Sequence, residues 1–195
     1  MVRPEKMELE KFLKFNIGDF NCVFRILCDS DVSKNYIEGL KRQNKYIKNI
    51  PADLTISKQK EYIQKILFSK TDTIFGLFIN RELVGTAGVQ LSNSFIKNIQ
   101  IPAENVATIG IFLFNKNFRR RGLGKALVWS ATHLFNYSTK AEWFGAGMKK
   151  RNIPSLKSFL SCGYKNINED KNNCHVLINY SDLIKPNNID DIVIL

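Results

Sequence analysis

The chain has 195 residues, of which 44% are hydrophobic, and its 29 Lys and Arg residues against 18 Asp and Glu residues give a formal net charge of +11. This length supports one sizeable core, and the supply of Phe, Ile, Leu and Val excludes a mainly disordered chain. No apolar run approaches the roughly 18 residues of a membrane-spanning helix, so the sequence excludes a transmembrane protein.

The start of the chain and the cysteines predict a cytoplasmic protein. Met1 to Lys6 is charged and is not followed by the apolar region of a secretory signal. His133 and His175 lie far apart and have no ligand-spaced carboxylates, so we expect no metal site. The scattered cysteines, without C-x-x-C or zinc-ligand spacing, are expected to be reduced thiols: Cys22, Cys28, Cys162 and Cys174.

The first half of the sequence predicts a strand, two helices and a hairpin. Asn21 to Leu27 is rich in β-formers, and Ser30 or Asp31 can cap a helix that runs through Leu40. A second cap at Ser57 is expected to open a helix with apolar residues at helical spacing. The hairpin strands are Thr73 to Ile79 and Leu83 to Leu91, and residues 92–104 are expected to form a loop.

The second half alternates strands and helices. The bounds that we predict are a strand from Val106 to Phe114, a helix from Lys125 to Tyr137, a strand from Ala141 to Met148, a short helix from Asn152 to Gly163 and a strand over 174–180. The order β-α-α-β-β-β-α-β-α-β indicates an α/β domain on a mixed sheet. The apolar end of the chain, Ile192 to Leu195, is left open between docking on the body, docking on a partner and a final strand.

The stretch from Phe112 to Ala126 carries the clearest chemical signal. A buried strand leads into Arg119-Arg120-Arg121-Gly122-Leu123-Gly124 and then into a helix. The glycines let the backbone come close to a ligand, and the N–H groups and dipole at a helix start attract anions. The segment therefore predicts a phosphate cradle with flanking arginines. It has neither the P-loop pattern nor the G-x-G-x-x-G of dinucleotide folds.

Read as R-x-x-G-x-G, this segment resembles the pyrophosphate signature of the GNAT superfamily of acetyl-CoA-dependent N-acetyltransferases. One strand further on, Asn152-Ile153-Pro154-Ser155 followed by Gly163-Tyr164 resembles that family's N-x-x-S…G-[FY] helix, in the branch of ribosomal-protein and amino-sugar acetyltransferases. The resemblance covers about residues 20–180. It implies one domain over 1–195, with a mostly antiparallel mixed sheet of about six to seven strands flanked by about four helices.

The resemblance also implies roles for individual residues. Main-chain groups of Phe112, Leu113 and Phe114 would pair with the pantetheine arm, and one N–H would polarise the thioester carbonyl. Asn152 and Ser155 would face the pantetheine from the other side, across a splay between strands 106–114 and 141–148. The pyrophosphate would lie on the amides of the loop, with the arginine side chains around it: Arg119, Arg120, Arg121, Gly122, Leu123, Gly124 and Lys125.

The catalytic groups depart from the family pattern. Phe159 stands where many members carry a Tyr acid, and Thr108 stands where many carry a Glu base. Ser155 is then the candidate acid and Glu104 a candidate base. Two further residues are weaker candidates for the base: Glu142 and His133.

The acceptor is expected to be a small-molecule amine, with an amino sugar or nucleotide-linked amino sugar as the favoured class. Acetylation of a protein N-terminus is the alternative within the family. A non-catalytic nucleic-acid-binding domain would also suit the net charge, but no helix-turn-helix, zinc-finger or RNA-binding aromatic motif supports it. We expect acetyl-CoA as co-substrate, no metal, no membrane contact, and a monomer or homodimer.

Overall fold

The computed structural model describes residues 11–42, 51, 53–92 and 106–195. Within these ranges the strands are β1 Phe12–Ile17, β2 Phe20–Ile26, β3 Asp72–Ile79, β4 Glu82–Ser92, β5 Val106–Leu113, β6 Trp143–Lys149, β7 Lys165–Glu169, β8 Asn173–Asn179 and β9 Asp190–Ile194. The α-helices are α1 Lys34–Arg42, α2 Ile56–Leu67, α3 Leu123–Thr139 and α4 Ile153–Leu160. No helix in the described ranges is long and apolar enough to cross a bilayer.

The strands form one sheet in the order β7-β8-β6-β5-β4-β3-β2-β1-β9. The β5–β6 pair is parallel and the other pairs are antiparallel, which confirms the predicted mixed sheet. The predicted number of six to seven strands is wrong, because the described residues contain nine. The prediction missed β1 and β7 and left β9 open as one of three alternatives for the chain end. The polar sequence K-N-I-N-E of the edge strand β7 carries little apolar signal.

Two apolar layers cover the sheet. Alternate side chains of β3 enter different clusters, since Phe75 and Leu77 join the core beneath α3 while Phe78 packs with residues of α1 and α2. Both faces of β3 are therefore buried, and its sequence is almost continuously apolar. Helix α3 is buried over most of its surface and contacts β1, β4, β5 and α4.

The parallel pair β5–β6 is short. Its paired residues are Ala107 with Phe144 and Thr108 with Gly145. Helix α3 supplies the crossover that two parallel strands require. Beyond these two pairs the strands separate, so the sheet opens between Ile109–Leu113 and Ala146–Lys149.

The chain end resolves the alternatives left open by the sequence. Strand β9 pairs antiparallel with β1, with Leu13 opposite Ile194 and Lys14 opposite Val193. The backbone amide of Phe12 donates to Leu195 O at 3.0 Å. The apolar C-terminus is therefore a final strand of the same sheet.

The helix caps differ from the predicted ones. Helix α2 begins after Thr55, whose hydroxyl accepts the amide of Lys58 at 3.2 Å, and Ser57 lies inside the helix. Before α1, the hydroxyl of Ser33 accepts the amide of Tyr36 at 3.2 Å. Asp31 instead belongs to a short 3-10 helix, Asp29–Asp31, and pairs with Arg25 at 2.7 Å.

We predict that Thr55→Ala lowers the free energy of unfolding by about 1 kcal/mol, because it removes the hydroxyl that caps α2. The matched control is Ser57→Ala, since the exposed Ser57 hydroxyl contacts only Glu61 within the helix. We expect the control to change stability by less than about 0.5 kcal/mol. Urea unfolding measures both, and a larger loss for Ser57→Ala than for Thr55→Ala would contradict this assignment of the cap.

Candidate active site

A cleft of about 1580 Å³ opens where β5 and β6 separate. Its walls are the ends of these strands, the loop before α3, one side of α4, the end of α1 and the segment that leads to β9. Most of the residues singled out from the sequence line it: Phe112, Leu113, Arg119, Arg120, Gly122, Leu123, Gly124, Lys125, Asn152 and Ser155. The fold thus brings the two motifs, separated in sequence by α3 and β6, to one site.

The backbone of β5 forms one wall of the cleft. The amide of Phe114 donates to Val84 O of β4 at 3.3 Å, which places it in the sheet ladder. Because successive N–H groups of a strand point to opposite neighbours, Phe112 also faces β4, while Ile111 and Leu113 direct their N–H groups towards the cleft. Of the three residues predicted to offer a thioester donor, Leu113 is therefore the suitable one.

Phe114 itself does not line the cleft. It is 6% exposed and packs against Tyr36, with ring centroids 5.4 Å apart. Its Cβ would lie 2.5 Å from a Cβ placed on Gly39 of α1. Phe114 therefore holds α1 against the end of β5, and its amide, which was expected to be a main-chain contact of the cofactor, donates to Val84 O instead.

The loop before α3 has a backbone shaped by glycine. Gly122 has φ of 82° and precedes the first residue of the helix. The space that a Cβ would need there is taken by the side-chain amide of Asn188. At Gly124, a Cβ would lie 2.7 Å from Ser158 Oγ of α4. The positive φ favours glycine at position 122, the Ser158 hydroxyl crowds any side chain at position 124, and the first residues of α3 line the cleft where their amides can bind an anion.

The three arginines do not act as one group. Arg119 and Arg120 are exposed and line the cleft. The guanidinium of Arg121 instead lies 5.3 Å from the centroid of the Phe20 ring and is not part of the lining. The side chain of Arg121 therefore packs on the body, contrary to the expectation that all three supply charge to the site.

Helix α4 presents Asn152 and Ser155 to the cleft. Asn152 is the N-cap residue, but its side chain makes no capping hydrogen bond. Ser155 is partly exposed and lines the cleft, whereas the hydroxyl of its neighbour Ser158 donates to Pro154 O at 2.9 Å. Phe159 is 1% exposed and has no proton to donate.

Neither of the two candidate bases that the structure describes lines the cleft. Glu104 lies outside the described residues. His133 does not line the cleft: its Nδ1 lies 2.7 Å from Tyr180 Oη, its ring stacks on Trp129, and burial lowers its pKa. Glu142 is exposed before the start of β6, and it too is absent from the lining.

The charges around the cleft are of one sign. In the part of the chain that the structure describes, no Asp or Glu lines it. The basic residues that line it are Arg42, Arg119, Arg120, Lys125, Lys149 and Lys185. Such a cleft attracts anions and repels cations.

Sequence reasoning missed the contribution of the chain end. Residues 184–188 line the cleft beside the phosphate loop. Their only sequence signal is Pro186-Asn187-Asn188, a turn pattern that carries no chemistry by itself. Arg42 and Leu40 at the end of α1 and Thr86 of β4 also line the cleft without having been predicted.

The model of the acetyltransferase (GNAT) family matches residues 43–164, which is more than half of the chain. The chain belongs to the GNAT acetyltransferase family. Both motifs of the cleft lie within the matched range. No curated protein sequence matches significantly.

Solved structures share the GNAT fold at low sequence identity. Mycobacterium smegmatis RimJ in complex with CoA-disulfide is 11% identical, with a TM-score of 0.71 over 92% of this chain and 91% of that one. The ribosomal-protein-S5-alanine acetyltransferase from Vibrio fischeri is 14% identical, with a TM-score of 0.69 over 89% and 99%. Aminoglycoside acetyltransferase AAC(6')-Ib in complex with coenzyme A and kanamycin is 17% identical, with a TM-score of 0.63 over 83% and 96%. At such identities the likeness shows the fold.

The cleft fits the co-substrate of a GNAT enzyme. The start of α3 offers backbone donors for a pyrophosphate, at a loop where a Cβ on Gly122 would collide with its neighbour. The outward N–H groups of β5 offer an extended arm the pairing of an added strand. Acetyl-CoA supplies the activated acetyl group, and the chain supplies the donors that hold it.

We predict that the Ser158 hydroxyl disfavours any side chain larger than hydrogen at position 124. Gly124→Ala gains helix propensity worth about 1 kcal/mol but loses about 1–3 kcal/mol to crowding. Removing the Ser158 hydroxyl should relieve the crowding, so Gly124→Ala should be about 1 kcal/mol more favourable in the Ser158→Ala background. The free energies of unfolding of the parent, of Gly124→Ala, of Ser158→Ala and of the double variant form a double-mutant cycle. A coupling below about 0.3 kcal/mol would show that the contact does not matter.

Proposed function

We propose that this GNAT enzyme transfers the acetyl group of acetyl-CoA to a primary amine on an anionic small molecule, with a nucleotide-linked amino sugar as the favoured acceptor. The observation that carries this proposal is the charge of the cleft, which has six basic residues and, among the described residues, no carboxylate. A free amino sugar without the nucleotide is the simpler member of the same acceptor class.

The basic residues of the cleft belong to different elements. Arg119, Arg120 and Lys125 lie at the start of α3, where the cofactor phosphates would neutralise them. Arg42 belongs to α1, which packs through Gly39 against Phe114 just after β5, and its guanidinium lies 3.9 Å from the Glu38 carboxylate. We assign Arg42 to a negative group on the acceptor, because it lies outside the loop that would hold the phosphates.

The same charges disfavour a polycationic acceptor. Unit charges of like sign at about 4 Å repel by about 4 kcal/mol at an effective dielectric constant of 20. An aminoglycoside with several ammonium groups would meet this repulsion without a compensating carboxylate from the described lining. A neutral or anionic acceptor avoids it.

The chain's own residues fit direct attack by the amine. The amide of Leu113 is directed into the cleft, where it can stabilise charge that develops on the thioester oxygen. Ser155 lines the cleft from the opposite wall and can donate a proton to the departing thiolate. Phe159, at the position of the usual Tyr acid, leaves this role to Ser155.

Glu104 remains our candidate for the base, since His133 and Glu142 lie away from the cleft. A carboxylate near the acceptor would take the proton that the ammonium form must lose before it can attack. A weakly basic amine, already partly neutral near neutral pH, would depend on such a base less strongly.

Acetylation of a protein N-terminus is the second candidate, favoured by the likeness to the ribosomal-protein-S5-alanine acetyltransferase. The cationic cleft would suit an acidic peptide much as it suits a nucleotide. The acceptor assay below separates the two.

We expect kcat/KM to be at least about tenfold higher for a nucleotide-linked amino sugar than for the free sugar, because Arg42 contributes a charge-assisted contact. Arg42→Gln should remove most of this difference without slowing the free sugar. Arg81→Gln, in the hairpin turn away from the cleft, is the control. The assay compares both sugars, kanamycin and an acidic peptide with a free N-terminus. A preference for kanamycin or for the peptide would overturn the proposed acceptor.

Cofactor binding is measured separately from acceptor choice. At a hundredfold excess over Kd, acetyl-CoA should stabilise the parent protein by about 2.7 kcal/mol. Gly124→Glu adds a carboxylate beside the phosphate cradle and crowds Ser158, so it should abolish this gain. A parent that ignores acetyl-CoA but binds nucleic acid in a steeply salt-dependent way would contradict the enzymatic function altogether.

We predict that Ser155→Ala lowers kcat at least about tenfold while the Kd for acetyl-CoA changes less than threefold, as expected for loss of a general acid. Ser158→Ala, one helical turn further along, is the matched control because the Ser158 hydroxyl is already bonded to Pro154 O. Steady-state kinetics and calorimetry provide the two values. A kcat for Ser155→Ala within twofold of the parent would exclude the acid role.

A further inference from the structure

A 3-10 helix, Tyr180–Asp182, precedes β9, and the segment between them lines the cleft beside the loop before α3. It is attached next to α4, where the amide of Ile184 donates to Cys162 O at 3.1 Å. It then turns, with the amide of Ile189 donating to Pro186 O at 3.1 Å. Ile189 is fully buried in the main core, and β9 continues onto β1. The segment is therefore fixed at both ends and forms a wall of the cleft.

Two polar side chains of this wall lie beside the anion site. The side-chain amide of Asn188 lies against Gly122, in the space that a Cβ would need. Lys185 is exposed and lines the same cleft as Arg119 and Arg120. Its Nζ donates one hydrogen bond to Ile189 O at 3.1 Å, which restrains the ammonium and leaves its other two protons available.

The chemistry of these groups matches a phosphate. An amide NH₂ donates up to two hydrogen bonds and an ammonium three, and neither the Asn188 amide nor the Lys185 ammonium has a carboxylate partner among the described residues. A phosphate that accepts hydrogen bonds from the first amides of α3 would lie next to Gly122, hence next to Asn188.

We propose that Lys185 and Asn188 bind the phosphates of the CoA nucleotide, so that the C-terminal segment completes the cradle begun by the R-x-x-G-x-G loop. This inference rests on the proposed function, since it assumes CoA in the cleft. It assigns a role to residues outside the matched family region, which ends at residue 164.

The test measures the Kd for CoA and for dephospho-CoA by calorimetry. We expect Lys185→Met to weaken CoA binding at least about fivefold, because it removes a charge-assisted hydrogen bond. We expect Asn188→Asp, which keeps the shape but adds a negative charge, to weaken it at least about tenfold. Lys185→Arg should retain binding. The matched controls, Lys171→Met and Asn172→Asp, lie in the turn between β7 and β8.

The two ligands identify the phosphate involved. A loss with CoA alone would assign Lys185 to the 3′-phosphate, and a loss with both ligands would assign it to the pyrophosphate; either result supports the proposal. If Lys185→Met and Asn188→Asp both bind CoA with a Kd within twofold of the parent's Kd, the proposal is overturned. A parent protein that does not bind CoA would refute the proposed function instead, so the two failures are distinguishable.

Discussion

The short parallel pairing of β5 with β6 is the constraint on which the site depends. Two parallel strands need a crossover, and α3 supplies it, so the helix must begin where β5 ends. Because the strands then separate, β5 keeps backbone N–H groups directed into an open cleft. Buried or half-buried backbone groups are normally paired, so this wall calls for an extended partner. One break in the sheet thus provides both a wall that could pair with an extended arm and a helix start that could bind a phosphate.

Packing against neighbouring side chains, as well as ligand binding, explains the two glycines of the loop. Gly122 makes room for Asn188 and Gly124 for Ser158, and these neighbours come from the chain end and from α4. A glycine-rich pattern is therefore not by itself a sign of phosphate binding. Its meaning here comes from its place between a strand that opens a cleft and a helix that offers free amides.

Sequence reasoning recovered the parts of the molecule whose signals are local. The hairpin β3–β4, the strand–loop–helix of the anion site and the start of α4 each carry a pattern in consecutive residues. It could not decide what depends on distant partners. Only the pairing with β1 shows that the apolar chain end is a strand, and the position of Asn188 matters because of Gly122, 66 positions earlier. The cap of α2 was misplaced because Thr55 and Ser57 both suit the role and only backbone geometry separates them.

The same cationic lining that would hold a cofactor would also influence the choice of acceptor. Phosphates bound at the start of α3 would neutralise Arg119, Arg120 and Lys125, whereas Arg42 and Lys149 lie on other elements of the lining. Arg42 shares the wall at the end of α1 with the apolar Leu40, and its guanidinium lies 3.9 Å from the Glu38 carboxylate. An acceptor with one negative group and one neutral amine would satisfy that wall. An acceptor with several ammonium groups would meet repulsion from these basic residues instead.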